Sequence, residues 1–276
     1  MKLRRALRSV PGHVVLIALA VLQLFPIALV FINSFKTSLE VAADPLSLPH
    51  SLDFSNFTTA WTYGHFGTGF INSFLLVGTT IVIVLVCAFL AGYVLAGKKI
   101  RTWSLVTMYF LAAVTIPIWL FLFPLYFEYS KLHLLNSPVA VAFIVAAINL
   151  PLAVFLMRSF FLKIPPALEE AAIVDGAGIG SLLWRVMLPI VSPGLVTVAI
   201  LVGLFAWNEY LITSTFLNNP GSYTATLGYL TMNGTFTNQQ GIMMAGAVIL
   251  ILPVLVIFIA VQRFFIDGLV NGATKG

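Results

Sequence analysis

Charge is what this chain has least of. Asp, Glu, Lys and Arg make up 8% of its 276 residues, where a soluble domain carries about a quarter. Apolar residues reach 60% and the mean hydropathy is +1.05, so a soluble globular domain is excluded and the sequence belongs in lipid. A single cysteine, Cys87, excludes an intrachain disulfide and a cysteine metal site; inside its apolar run it reads as a small buried hydrophobe. His13, His50, His65 and His133 are scattered, with no His-Glu-x-x-His helix for zinc. The Gly-x4-Gly-Lys-Ser/Thr phosphate loop is missing, so the chain does not bind ATP in the usual way. Gly176, Gly178 and Gly180 have the wrong spacing for a dinucleotide fingerprint, and no strand precedes them. The net charge of +5 forms no basic stripe, which leaves nucleic acid without a footprint. These absences describe a chain that is no enzyme and needs no cofactor or metal.

What is present is a series of apolar runs. Six are long enough to cross a bilayer, which takes about 20 helical residues: 14–32, 70–96, 104–127, 139–157, 195–216 and 243–262. Irregular backbone facing lipid would leave hydrogen-bonding groups unpaired, so each run predicts a helix. Glu209 is the one charged side chain among them. Residues Lys2, Arg4, Arg5 and Arg8 precede the first run as they would a signal peptide. That run exceeds the 7–15 residues of a signal core, and no small-residue cleavage site follows closely, so it reads as a retained helix. With the N-terminus in the cytoplasm, 12 of the 14 basic residues fall inside and only Lys36 and Lys131 fall outside, as the positive-inside rule requires. Six crossings return the C-terminus to the same side. The fold class is therefore an all-α membrane protein of six transmembrane helices with both termini cytoplasmic. Pro26, Pro117, Pro124, Pro151 and Pro253 lie within the runs and tend to kink them.

Outside, the 33–69 loop carries prolines and aromatics. The 217–241 segment has no charge and is rich in Asn, Thr and Gly. Inside, the 97–102 turn is short, so the 158–189 segment is the only sizeable feature besides the tails. Its sequence LEEAAIVDGAGIGSLLWRVMLP gathers Glu169, Glu170, Asp175 and Arg185 in an otherwise lipid-soluble chain. Pro165 and Pro166 suit a helix entrance, Glu169 and Glu170 complement its macrodipole, and Gly176 is a natural stop. Leu168, Ala171, Ala172 and Asp175 then share one face with small side chains at its centre. A second short helix over roughly 179–187 leads through Leu188-Pro189 into the next run. A plain connector needs only a few residues, so about thirty with two helical signatures favour docking onto a soluble partner.

These residues resemble the EAA motif of ABC importer permeases. The match is Glu170-Ala171-Ala172, three residues, Gly176, nine residues, then Val186-Met187-Leu188-Pro189, with Val for the motif's Ile. Other stretches are similar to the carbohydrate branch, the second permease of maltose-type systems. These are Asn72-Ser73, Ile116-Pro117, Pro124-Leu125-Tyr126, Pro151 with Arg158-Ser159-Phe160-Phe161, Trp207-Asn208-Glu209-Tyr210, Met244-Ala245-Gly246-Ala247 and the ending Gly272-Ala273-Thr274-Lys275-Gly276. The resemblance implies a type I ABC importer permease fold in a bacterial inner membrane. Residues 1–66 would form the N-terminal tail, first helix and external loop. Residues 67–265 would form the permease core, with a coupling helix at about 165–187, and residues 266–276 a cytoplasmic tail. Glu170, Ala171, Ala172, Asp175, Gly176, Leu188 and Pro189 would couple to an ATPase; the C-terminal residues would either touch it too or form a frayed tail. The implied partners are a second permease, two ATP-binding subunits and an extracytoplasmic solute-binding protein, with alternating access as the mechanism.

Polar groups inside spans are costly and invite a functional reading. Asn149, Trp207, Asn208, Glu209 and Tyr210 are the candidates for a solute path, with Trp119 and Tyr126 as further aromatics. Rings suit the C–H faces of sugars, while amides and a carboxylate suit their hydroxyls. The competing reading makes the Asn side chains packing glue between helices. The alternatives for function are an ABC permease for another polar solute such as glycerol phosphate, and an ion-coupled secondary transporter using Glu209. A membrane-embedded enzyme lacks any paired polar catalysts.

Overall fold

A computed structural model describes the backbone of residues 2–97 and 100–273 and the side chains of 12–97 and 100–262. The basic residues Lys2, Arg4, Arg5, Arg8, Lys98, Lys99, Arg263 and Lys275 and the Gly272–Gly276 ending that the sequence singles out lie outside the described side chains. Among the described residues there are helices and no strands. The chain divides into two compact units, residues 1–67 with 228–253, and residues 68–227 with 254–276.

In the first unit, α1 (Lys2–Asn33) leaves every residue of its apolar window unburied. A helix that is apolar on all sides and unpacked is one for a lipid solvent. The chain then turns sharply before α2 (Ser38–Ala43). Lys36, expected as an external loop residue, is fully buried at that turn: its ammonium donates to the Asp44 carbonyl at 3.1 Å and to Ser47 Oγ at 3.2 Å. Asn56, on α3 (Ser55–Tyr63), donates its amide to the carbonyls of Ser34 and Lys36 at 3.0 and 2.8 Å. The backbone groups of a buried turn thus find side-chain partners. Thr37 and Glu40 form a capping box at the start of α2, and the Thr37 amide and hydroxyl hold the Glu40 carboxyl below its ordinary range. Gly241, at the start of α13 (Gln240–Ala273), leaves no space for a side chain, since a Cβ would collide with the Lys36 carbonyl.

The second unit contains α4 (Phe66–Ala96) from residue 68, α5 (Trp103–Thr115), α6 (Leu122–Lys131), α7 (Pro138–Phe161), α8 (Pro166–Val174), α9 (Ile179–Ser181), α10 (Leu188–Trp207) and α11 (Leu211–Phe216). A further helix, α12 (Ala225–Met232), follows in the chain. Glycines set how closely three of the long helices pack. A Cβ on Gly92 of α4 would lie 2.8 Å from Met157 Cβ and 3.0 Å from the Arg158 nitrogen of α7. One on Gly194 of α10 would fall 2.6 Å from the Phe160 ring. Small residues let helices approach closely where no hydrophobic force drives them together. Phe89, Met157, Leu182, Met187 and Val198 form one buried cluster, and Leu76, Val141, Val145, Ala206 and Phe216 another.

Among the described residues, five helices are continuous and apolar enough to span: 12–33, 66–96, 138–161, 179–207 and 240–262. The third expected run is instead two pieces, α5 and α6, separated at Ile116-Pro117. Pro117 forces Ile116 into extended backbone (φ −83°, ψ 119°), as residues before proline prefer. Pro151, Pro193 and Pro253 sit inside continuous helices. The fifth run is displaced from its expected 195–216. Its helix begins at Ile179, passes through a π-helical stretch at Leu182–Met187, and ends at Trp207. Cys87, expected to be buried, is exposed on α4. A helix apolar all round gives no sign in its sequence of which face packs.

Candidate coupling site

The α8 helix is nine residues long with Pro165 as its N-cap and Pro166 opening its first turn. Its end is a Schellman stop: Ala177 N–H donates to the Ala172 carbonyl at 2.9 Å and Gly176 N–H to the Ile173 carbonyl at 3.0 Å, the 6→1 and 5→2 pattern. Gly176 takes φ +83° with open space around it, so its left-handed backbone, not crowding, is what demands glycine. The chain re-enters the spans at once through Gly178, α9 and the π-helical stretch.

The face expected from helical spacing is split in the structure. Ala172 packs against the spans, whereas Leu168, Ala171 and Asp175 are exposed. Glu170 is exposed as well, and Ile173 and Val174 stand 56% and 85% exposed. Leu188 is half-buried and Pro189 exposed, both in the first turn of α10. Of the coupling residues, then, Glu170, Ala171, Asp175 and Gly176 lie along one projecting helix and its stop. Leu188 and Pro189 belong to the span it feeds. Glu169, which spacing did not single out, turns inward: its carboxylate accepts a 2.8 Å hydrogen bond from the hydroxyl of Tyr93 on α4. The two are 76 residues apart in the chain, and no local sequence signal could have paired them.

The five solute-path candidates each have their own local partners. Asn149, half-buried on α7, donates its amide back to the Val145 carbonyl at 2.8 Å, and Asn208 does the same to Leu204 at 2.8 Å. Trp207 is 6% exposed, stacked on Phe70 and edge-on to Phe74. Glu209 lies in the break between α10 and α11. Its two carboxylate oxygens accept from the Ile212 and Thr213 amides at 2.8 Å each, capping the first turn of α11. Asn208 and Tyr210 remain exposed at the end of α10.

The described residues make a helical protein with several candidate spans and a short, rigidly stopped helix between two of them, the architecture of a membrane protein. The chain belongs to the family of binding-protein-dependent transport system inner membrane components, whose pattern matches residues 83–269. It is 32% identical to a probable starch degradation products transport system permease protein of Thermoanaerobacterium thermosulfurigenes over 94% of each chain. It is 31% identical to a diacetylchitobiose uptake system permease protein of Streptomyces coelicolor, covering 96% of this chain and 88% of that one. A melibiose/raffinose/stachyose import permease protein of Bacillus subtilis is 32% identical over 87% of this chain and 88% of its own. The fold is similar to that of a bacterial ABC transporter involved in import of the acidic polysaccharide alginate. The TM-score is 0.76 at 22% identity, covering 94% of this chain and 97% of that chain.

Proposed function

We propose that this chain imports a sugar or oligosaccharide across a bacterial inner membrane, with both termini in the cytoplasm. It pairs with a second, similar permease, two ATP-binding subunits and an extracytoplasmic solute-binding protein. The α8 helix is the coupling helix. ATP closes the ATPase pair, α8 moves with it, and the spans reopen to the outside. The observation that carries this reading is α8 itself: a short helix fixed at both ends, offering Leu168, Ile173 and Val174 beyond the spans. Apolar side chains grouped outside lipid suit a protein partner.

The orientation draws support from the basic residues, 12 of 14 of which it places inside. Of the two exceptions, Lys36 is buried and satisfied within its turn, and Lys131 pairs with Glu128 at 3.0 Å and stands 4.4 Å over the Phe127 ring. The sugar assignment draws support from the oligosaccharides in the relatives' names, and from Asn208 and Tyr210, an amide beside an aromatic face. The ion-coupled alternative needs Glu209 as an ion site, whereas both of its carboxylate oxygens cap α11.

Cysteine crosslinking tests the docking. Val174→Cys in the assembled transporter is expected to crosslink to the ATPase subunit, with a yield that changes between nucleotide-free and ATP-trapped states. A Val174→Cys that reaches no ATP hydrolase in either state overturns the reading.

A further inference from the structure

The root of α8 is joined by the chain to only two spans, α7 before it and α10 after it. α4 is joined to it only through α5, α6 and α7. Beside that root lies a cleft of about 340 Å³, lined by Tyr93, Gly97, Phe161, Pro165, Glu169 and Met187, so side-chain packing between α8 and α4 is incomplete there. Across that cleft the Tyr93 hydroxyl donates to Glu169 Oε1 at 2.8 Å.

Tyr93 is itself held firmly. Its ring is 6% exposed and stands edge-on to Phe161, with centroids 5.7 Å apart and planes at 67°. Phe161 in turn meets Phe89 at 5.5 Å, and Phe89 stacks on Trp184 of the π-helical stretch at 5.9 Å. One residue before Tyr93, Gly92 touches the α7 backbone with no slack, and Arg158 Nε donates to the Leu95 carbonyl at 3.4 Å. The phenol is thus a fixed point on the crossing of α4 and α7, and it ends on the one acidic side chain of α8 that faces inward.

We propose that Tyr93 is a positioning residue for coupling: its bond to Glu169 tethers α8 to α4, so that α4 follows the coupling helix together with α7 and α10. This rests on the docking of α8 onto an ATPase. A hydrogen bond to a charged acceptor changes an equilibrium by about tenfold. Its loss lets α8 move without α4.

The test is solute imported per ATP hydrolysed, measured in proteoliposomes holding the complete transporter and its binding protein. Tyr93→Phe and Glu169→Ala are each expected to lower that ratio by about tenfold. The double variant should lose clearly less than the two single losses combined, because the bond they share is removed only once. Glu169→Gln keeps an acceptor oxygen and should stay within about threefold of the parent. Additive losses, an unchanged ratio in Tyr93→Phe, or a Glu169→Gln as poor as Glu169→Ala would each overturn the tether. Should Tyr93→Phe fail to assemble, the Glu169 pair makes the same comparison. Val174→Asp, on the exposed face, separates the two ideas. If it uncouples while the Tyr93 and Glu169 variants do not, only the tether falls. If it couples normally, the docking falls and the tether with it.

Discussion

Gly176 shows how much a single backbone angle can decide. Nothing lies within 4 Å of the place a Cβ would occupy, so a larger residue meets no wall. What it meets is a φ of +83°, which costs an ordinary L-residue roughly 1–2 kcal/mol. Alanine at 176 pays that strain or gives up the Schellman bonds of Gly176 and Ala177; asparagine tolerates the left-handed region better. Gly176→Ala is therefore expected to speed amide hydrogen exchange at Ala177 by about five- to thirtyfold, following those 1–2 kcal/mol, and Gly176→Asn by much less. Equal exchange in all three proteins would mean that the stop is held by something other than this angle.

At the scale of elements, the polar residues in apolar runs act first as punctuation. Asn208 bonds back to Leu204 and ends α10, and Glu209 then caps α11. Glu209→Gln retains an oxygen for one of the two amides, whereas Glu209→Ala leaves both without the carboxylate. Removing such a cap costs about 1 kcal/mol. Uptake is expected to survive in Glu209→Gln, and the thermal midpoint of the solubilised transporter to fall further in Glu209→Ala than in Glu209→Gln. Abolished uptake in Glu209→Gln with an unchanged midpoint would restore the ion-coupled reading. The same residues explain what the sequence made legible. Long apolar runs announce that helices exist, because only composition is needed. Their ends depend on single side chains, which is why 195–216 merges two helices and omits the more polar 179–194 start. α8 was readable end to end, since Pro165, Pro166 and Gly176 specify its boundaries locally. Its inward face was not, because Tyr93 waits 76 residues away and spacing alone grouped Ala172 with Leu168, Ala171 and Asp175.

At the scale of the molecule, the long helices α4, α7 and α10 move as a group only if their crossings cannot slide. The glycines make that mechanical requirement testable. Gly92 and Gly78 lie on the same helix, α4, and have the same intrinsic cost or benefit when replaced by alanine. At Gly78 a Cβ meets nothing within 4 Å, while at Gly92 it meets Met157 Cβ at 2.8 Å and the Arg158 nitrogen at 3.0 Å. A backbone nitrogen cannot swing aside as a flexible side chain can, so α4 and α7 must separate to admit the methyl group. Forcing an extra carbon into such a contact costs about 1–3 kcal/mol, against a helix-propensity gain of up to about 1 kcal/mol for leaving glycine. Gly78→Ala, with the gain and no clash, is expected to match or exceed the parent's thermal midpoint. Gly92→Ala should fall below it by several degrees in the intact transporter. A Gly92→Ala as stable as Gly78→Ala would show that the α4–α7 crossing has slack, and a crossing with slack could not carry motion from α8 into the spans.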